Sequence, residues 1–564
     1  RVVEAPRDDV HRRARRRQLL AEHVRRQFDQ RDRRGLERLD EAGRQADGDA
    51  VAVPEALPVA GLEAQPARGR RLDAGRGRRD VRAQCGLRVV VAGVRARVHV
   101  ADAAAGRQAD VPDPAGVPRG RGGLRRDLLV GVRIRHLHRQ RGALKGANPK
   151  SDLIVFVESA RMTTGRNWHK ERLFFLISSA RHFAKLLEDE GFKVEYIKAA
   201  TTIHGLKEIT KKHGALPIVC AEPSSFRQYE SLKKHKVSFV ENDFFLTSRS
   251  LFKLWADEQK SYLMENFYRK QRLRLNILMV GKDPIGGSWN FDKENRMPPP
   301  KKYQGPAYLE HKRDEIDKEV GLELSHMPTN TWATTRKGAL AQLKNFMNNH
   351  FAEFGPLEDA MTTQNWALHH SLLSPYLNNG LLHPNEVIDA AMKAFETGDI
   401  PIESAEGFVR QIIGWREYVN GMYWFLGPEY RSNNQLGANR KLLPLFSNPS
   451  ATKMNCMKEI GTDIQSRAWV HHIPRLMVLS NLALVTGTNP QEFLDWMREV
   501  FIDATEWVMV PNIIGMGVHA DGGQMMTKPY AAGGAYISRM SDYCKPCAYN
   551  PKLRVGADAC PFTT

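Results

Sequence analysis

Residues 151–199 constrain the fold more than any other stretch. SDLIVFVES (151–159) is a short, nearly continuous apolar run, the pattern of a strand covered on both faces. RLFFLISSARHFAKLLEDEGFKVEYIKA (172–199) follows. In it Phe183, Leu186 and Leu187 form a helical stripe, Gly191 stands where a helix stops, and KVEYI is the next strand. LPIVCAEP and VSFVEN repeat the strand pattern with helical spacing between them. This alternation predicts a Rossmann-like, doubly wound α/β domain over 148–245. Cys220 falls inside one of its strands, where a packed thiol is expected.

WNFDKENRMPPPKKYQGP (289–306) is proline-rich and charged, and reads as part of a linker region with helices over 246–329. Beyond it the spacing becomes helical. GALAQLKNFMNNHFAEF and PNEVIDAAMKAFETG lack strand alternation, which predicts an all-helical domain over 330–564. The expected fold class is therefore α/β plus all-α. No apolar run reaches eighteen residues, so no membrane span is expected. A monomer in the cytoplasm is the expected setting.

The first 147 residues have a different alphabet. They hold 33 Arg and one Lys against 19 Asp and Glu, a net +15 of the chain's +20. Ser, Thr, Asn, Met, Tyr and Trp are missing from them, and all return after Asn148. Nearly every residue type present is encoded by codons beginning with G or C. The segment reads as translation of a wrong frame joined to a genuine gene, or as an Arg-rich disordered extension, and it is assigned no function. Most of the positive charge thus lies outside the folded part, so the pI is no footprint for DNA.

Six cysteines in 564 residues are not a disulfide framework. Cys544, Cys547 and Cys560 cluster in SDYCKPCAYNPKLRVGADACPFTT, and Cys456 stands alone in ATKMNCMKEI. Four thiolates hold either a [4Fe–4S] cluster or a structural zinc, and the spacing does not separate the two.

Several long motifs occur in a fixed order: FYRKQRLRLNILM, GGSWNFDKENRMPPP, HSLLSPYLNNGLLHPNEV, QIIGWREYVNGMYW, WVHHIPRLMVLSN and HADGGQMMTKPYAAGGAYISRMSDYC. Together they closely resemble the photolyase/cryptochrome superfamily over 148–564, and most closely its bacterial iron–sulfur branch, which includes prokaryotic (6-4) photolyases. The resemblance implies an FAD-dependent, light-driven lyase acting on (6-4) photoproducts in UV-damaged DNA. A cryptochrome-type photoreceptor without repair is the alternative. The resemblance places a [4Fe–4S] cluster on Cys456, Cys544, Cys547 and Cys560. FAD contacts are implied at Ser371, Leu373 and Ser374 for the phosphates, at Trp415, Arg416 and Glu417 beneath the ring, and at Asp521 and Lys528. Read without the resemblance, Ser-Pro is a helix cap and an Arg–Glu pair is structural.

His471 and His472 are the catalytic candidates. Adjacent helical residues point to different faces, so one of them faces the pocket, and the resemblance selects His472 as the proton donor. A second family histidine, four residues on, is Leu476 here. Trp496 matches a position used for electron hopping, next to Met497, which cannot hop. Arg475, Lys528 and Lys545 are candidates for DNA phosphates. The superfamily opens on a strand that 145–157 should follow, and VGVRIRHLHRQRGALKG stands there instead. The first strand is therefore expected to be missing, which leaves the pocket for a lumazine antenna incomplete. The chain also ends four residues after Cys560, where the resemblance expects a further short segment.

Overall fold

The computed structural model describes residues 129–132, 135–214, 216–303 and 305–563. The expectations for residues 1–128 lie outside the described residues. Five parallel strands build one sheet: β1 (Leu129–Val132), β2 (Leu153–Ser159), β3 (Lys193–Ala199), β4 (Ile218–Ala221) and β5 (Ser238–Val240). Their order is β3-β2-β1-β4-β5. Helices α1 (Lys170–Asp189), α2 (Thr202–His213) and α3 (Phe226–Lys234) make the crossovers. A chain that reverses its strand order in this way opens a crevice at the carboxyl ends of the middle strands.

The expected loss of the first strand is corrected here. Leu129–Val132 is the central strand, with Val130 in register with Ile154 on one side and Val219 on the other. LLVGV is short and flanked by Arg, so its apolar run is masked by its surroundings in sequence. Burial reveals it, since Leu129 and Val130 are almost fully covered. The genuine fold therefore begins before 148. Leu137 and Leu144 are core residues, and the Leu137 amide donates to the Asn379 carbonyl at 2.9 Å. Gly142 is required in the turn that follows. Its φ is +56°, and a Cβ there would stand 2.8 Å from that of Ala221.

Helices α4 (Arg249–Asp257) and α5 (Met264–Leu275) follow the sheet. The helical part then contains α6 (Glu315–Glu323), α7 (Arg336–Asn349), α8 (Ser374–Asn379), α9 (Pro384–Glu396) and α10 (Ile402–Val409). After these come α11 (Glu417–Leu426), α12 (Asn455–Arg467), α13 (Pro490–Val500), α14 (Glu506–Val510) and α15 (Gly534–Met540). One hydrophobic core is continuous from the sheet into this part: Val130, Ile154 and Phe175 share it with Phe346, Tyr376 and Val387. Helix α11 meets α4 at Gly421, where a Cβ would lie 2.0 Å from the Phe252 ring, so only glycine permits the contact. No helix among the described residues is long and apolar enough to cross a membrane.

Candidate functional site

Three π-helical turns mark the site: Arg410–Arg416, Pro474–Ser480 and Pro511–Gly517. Each interrupts a helix within or beside a motif singled out in the sequence. Such turns widen the helix by one residue and occur mostly where a binding or catalytic residue must be re-aimed. The second and third touch each other, and the third also touches α11, which continues from the first.

The loop before α8 carries Ser371, Leu373 and Ser374. Ser374 Oγ donates to Asp503 at 2.7 Å. Asp503 is gripped from the other side by Arg475, whose two terminal nitrogens lie 2.9 and 3.1 Å from its carboxylate oxygens. The Asn378 amide donates to the Asp503 carbonyl. Asp503 thus ties the serine loop to the histidine turn, and nothing in the sequence pattern singled it out. Ser371 is half-buried, and its carbonyl accepts from Gln342 at 3.2 Å. Leu373 is core, at 1% exposure.

His471 and His472 part as helical neighbours should. His471 is buried, its ring stacks on His370 at 4.1 Å, and its Nδ1 has no protein partner. His472 is exposed but densely surrounded by protein, as a residue in a recess is. Burial, then the Arg475 guanidinium, then His370 lower its pKa to about 4. His471 is driven well below the usual imidazole range by burial and by the same neighbours.

Several sequence candidates also have partners within the protein. Arg416 pairs with Glu417 at 2.6 Å and donates to the Phe244 carbonyl. Glu417 accepts from the Thr247 amide at 2.8 Å. These two residues strap α11 to the loop at 244–247. Trp415 is half-buried, edge-on to Tyr418. Asp521 accepts from Tyr430 Oη and from the Gly523 and Met525 amides, so it closes its own turn. Arg475 is held by Asp503 and by the Val470 carbonyl. Lys528 and Lys545 are exposed. Trp496 is packed among Phe446, Phe493 and Phe501. Asn481, missed in the sequence, is fully buried and donates to the Ala532 carbonyl at 2.7 Å, fixing the approach to α15.

The four cysteines converge. Burial pushes the Cys456 thiol up, and Cys544, Cys547 and Cys560 push it further. Burial, Cys560 and Cys547 together raise Cys544 to about 11. Cys547 Sγ lies 3.8 Å from the Lys453 carbonyl and the Asn455 side chain donates to the Tyr543 carbonyl at 3.1 Å, so the segment of Cys456 lies against the tail. Among the described residues no three of these sulfurs lie within 4.8 Å of one another. A single zinc with Zn–S bonds of about 2.3 Å needs tetrahedral sulfurs about 3.8 Å apart.

A separate cavity of about 280 Å³ lies at the carboxyl ends of β1, β2 and β4, against the helical part. Gly131, Val157 and Ile218 line it from the sheet, and Trp168, Arg172 and Thr505 line it from elsewhere. Trp168 Nε1, Arg172 Nε and Thr505 Oγ1 are buried there without a protein partner. Gly131 of the central strand is part of the cavity wall.

Comparison with known proteins agrees with this architecture. Residues 131–337 match the family described as deoxyribodipyrimidine photo-lyase-related protein. A (6-4) photolyase of Agrobacterium fabrum is 40% identical over 440 residues, covering 74% of this chain and 87% of the relative. The structure of a Synechocystis cryptochrome superposes with a TM-score of 0.54 at 15% identity, covering 74% of this chain and 87% of the other. The chain belongs to the photolyase/cryptochrome superfamily, in the branch of the photolyase-related proteins.

Proposed function

We propose that this protein is a light-driven DNA lyase that repairs (6-4) pyrimidine photoproducts. The observation that carries the reading is His472, an exposed histidine beside Arg475, the residue that Asp503 ties to the serine loop. Its 40% identity to a (6-4) photolyase supports the substrate class.

The residues present fit an FAD. Ser374 is held by Asp503, and buried His471 Nδ1 and His519 Nδ1 have no protein partner. Ser371, Leu373 and Ser374 would hold its phosphates, with Trp415 and Lys528 as further contacts. Reduced FAD, when bound, supplies the photoexcited electron to the lesion. This chain's residues do the rest. The recess takes the damaged dinucleotide flipped from the duplex, a step made easier because the lesion has already weakened pairing and stacking. His472 is neutral at pH 7 in the free protein, because burial lowers it to about 4. A phosphodiester drawn beside it raises its affinity for a proton. Damaged DNA therefore charges the acid that acts on it, and His472 passes that proton to the hydroxyl that must leave one base for the other.

Cys456, Cys544, Cys547 and Cys560 would hold a [4Fe–4S] cluster. Four thiols suit either this cluster or a structural zinc, and the 40% identity to a (6-4) photolyase supports the cluster. The cluster joins the tail to α12 and so has a structural task. Trp496 is the proposed hopping residue. The cavity at the strand ends would take the antenna. Two unpartnered N–H donors there, on Trp168 and Arg172, call for a heteroaromatic ring bearing acceptors, as a lumazine does.

The test is a spectrum and a repair assay. Protein purified without air should show flavin bands over a broad iron–sulfur background, with iron and acid-labile sulfide. Under blue light it should restore a duplex carrying a defined (6-4) lesion, and His472→Ala should abolish this while keeping the flavin. A photoreceptor of the cryptochrome type would show the same flavin and no repair in either protein.

A further inference from the structure

His370 precedes the serine loop and packs against the histidine turn. It lies in a stretch where three non-glycine residues, Leu368, His369 and Leu372, hold positive φ angles of 35°, 62° and 57°. Backbone of this kind costs on the order of 1 kcal/mol or more per residue and persists only where surrounding packing fixes it. What it fixes here is an imidazole. His370 Nδ1 lies 2.8 Å from the Ala367 carbonyl, which can only accept, so the hydrogen sits on Nδ1. The ring face stacks on His471 at 4.1 Å and 25°, and its edges meet Phe354 and Trp469.

The result is three imidazoles in contact or near contact, drawn from two segments far apart in the chain. The charged and titratable groups around them are Arg475, which faces His471 and His472, and His369, which faces His370. The Glu358 and Leu368 carbonyls also face His370. Burial in such a group disfavours every charge, and each added proton disfavours the next.

We propose that His370 is a positioning residue for His472: it clamps His471 in the histidine turn, and the three rings together form one shared site for a single proton. This rests on His472 as the proton donor and adds what holds and tunes it. With damaged DNA bound, the cluster takes up one proton from solvent, at His472, and its presence there keeps His370 and His471 neutral. The proton leaves to the lesion and the site returns to its neutral form.

His370→Phe keeps an aromatic face against His471 and removes the competing base. The holoprotein with isotope-labelled histidines is titrated by NMR from about pH 8 to about pH 3.5, and the range above about pH 5 is that in which the unaltered rings are compared. In the unaltered protein all three rings should stay neutral over this range. In His370→Phe the His472 midpoint should move up by about half a pH unit or more. The fall in repair rate with rising pH should move the same way, with KM unchanged. If the His472 titration and the pH profile of His370→Phe match the unaltered protein, the proposal fails. Should that variant not fold, the unaltered protein decides alone: two of the three rings charging together above about pH 5 would overturn the shared site, and all three staying neutral would support it. Repair that survives His472→Ala would instead sink the acid assignment, without touching the NMR coupling.

Discussion

Asp503→Ala should damage this protein more than any change to the residues around it. The side chain is 8% exposed and accepts three hydrogen bonds, two from Arg475 and one from Ser374. Arg475 is itself only 16% exposed. Truncating the carboxylate leaves a guanidinium nearly buried without its counter-ion, which costs about 3–5 kcal/mol. It also frees Ser374, so the serine loop loses its tie to the histidine turn. Asp503→Asn keeps an acceptor for one Arg475 nitrogen and a partner for Ser374, and should cost about 1.5–3 kcal/mol through the lost charge-assisted bond. Urea denaturation followed by helical circular dichroism reads the stability, and flavin titration reads the loop. Both variants should bind FAD more weakly, in the order Ala worse than Asn. A stable Asp503→Ala protein, within about 1 kcal/mol of the parent and with unchanged FAD affinity, would refute the assignment of Asp503 as the tie.

Other expectations follow from single residues. Burial raises Glu358 to about 8, while its unfolded carboxyl titrates near 4.5. The folded acid therefore stays protonated as the unfolded one ionises, and stability is lost as pH rises through that window. Glu358→Gln should stabilise the protein at pH 7 by about 2–3 kcal/mol and have no benefit at about pH 4, as read by urea midpoints at the two values. Cys544→Ser should lower bound iron and bleach the broad visible absorption, and a protein that keeps its full iron content would rule Cys544 out as a ligand. Trp168→Phe removes one unpartnered donor from the cavity and should weaken antenna binding severalfold without changing repair driven directly through FAD. Gly421→Ala should destabilise strongly, since its methyl would enter the Phe252 ring.

How far the fold was legible depends on the element. Strands β2, β4 and β5 could be read from short apolar runs and β3 from KVEYI after Gly191; of the stripe expected on α1, Phe183 and Leu187 are buried while Leu186, at its edge, is 40% exposed. Strand β1 could not, since four residues among arginines carry no periodicity, and only pairing with β2 and β4 identifies them. In the site, His472 and the four cysteines were named from motifs, and the structure sets His472 in a recess and brings the cysteines together. Arg416, Glu417 and Asp521 were named from motifs, and the structure adds their partners within the protein, which a polar residue in a motif does not reveal.

The alternation of strand and helix, the change to all-helical spacing and the chemical types at the site are all written locally in the chain. They depend on neighbours within a few residues, where periodicity and turn chemistry act. Which polar groups remain available is a matter of how the helices come together. Asp503 reaches Ser374 across 129 positions and Arg475 across 28, and His370 meets His471 from a separate segment. Contacts over such distances are selected by the packing of whole helices, and no local pattern in the chain encodes them.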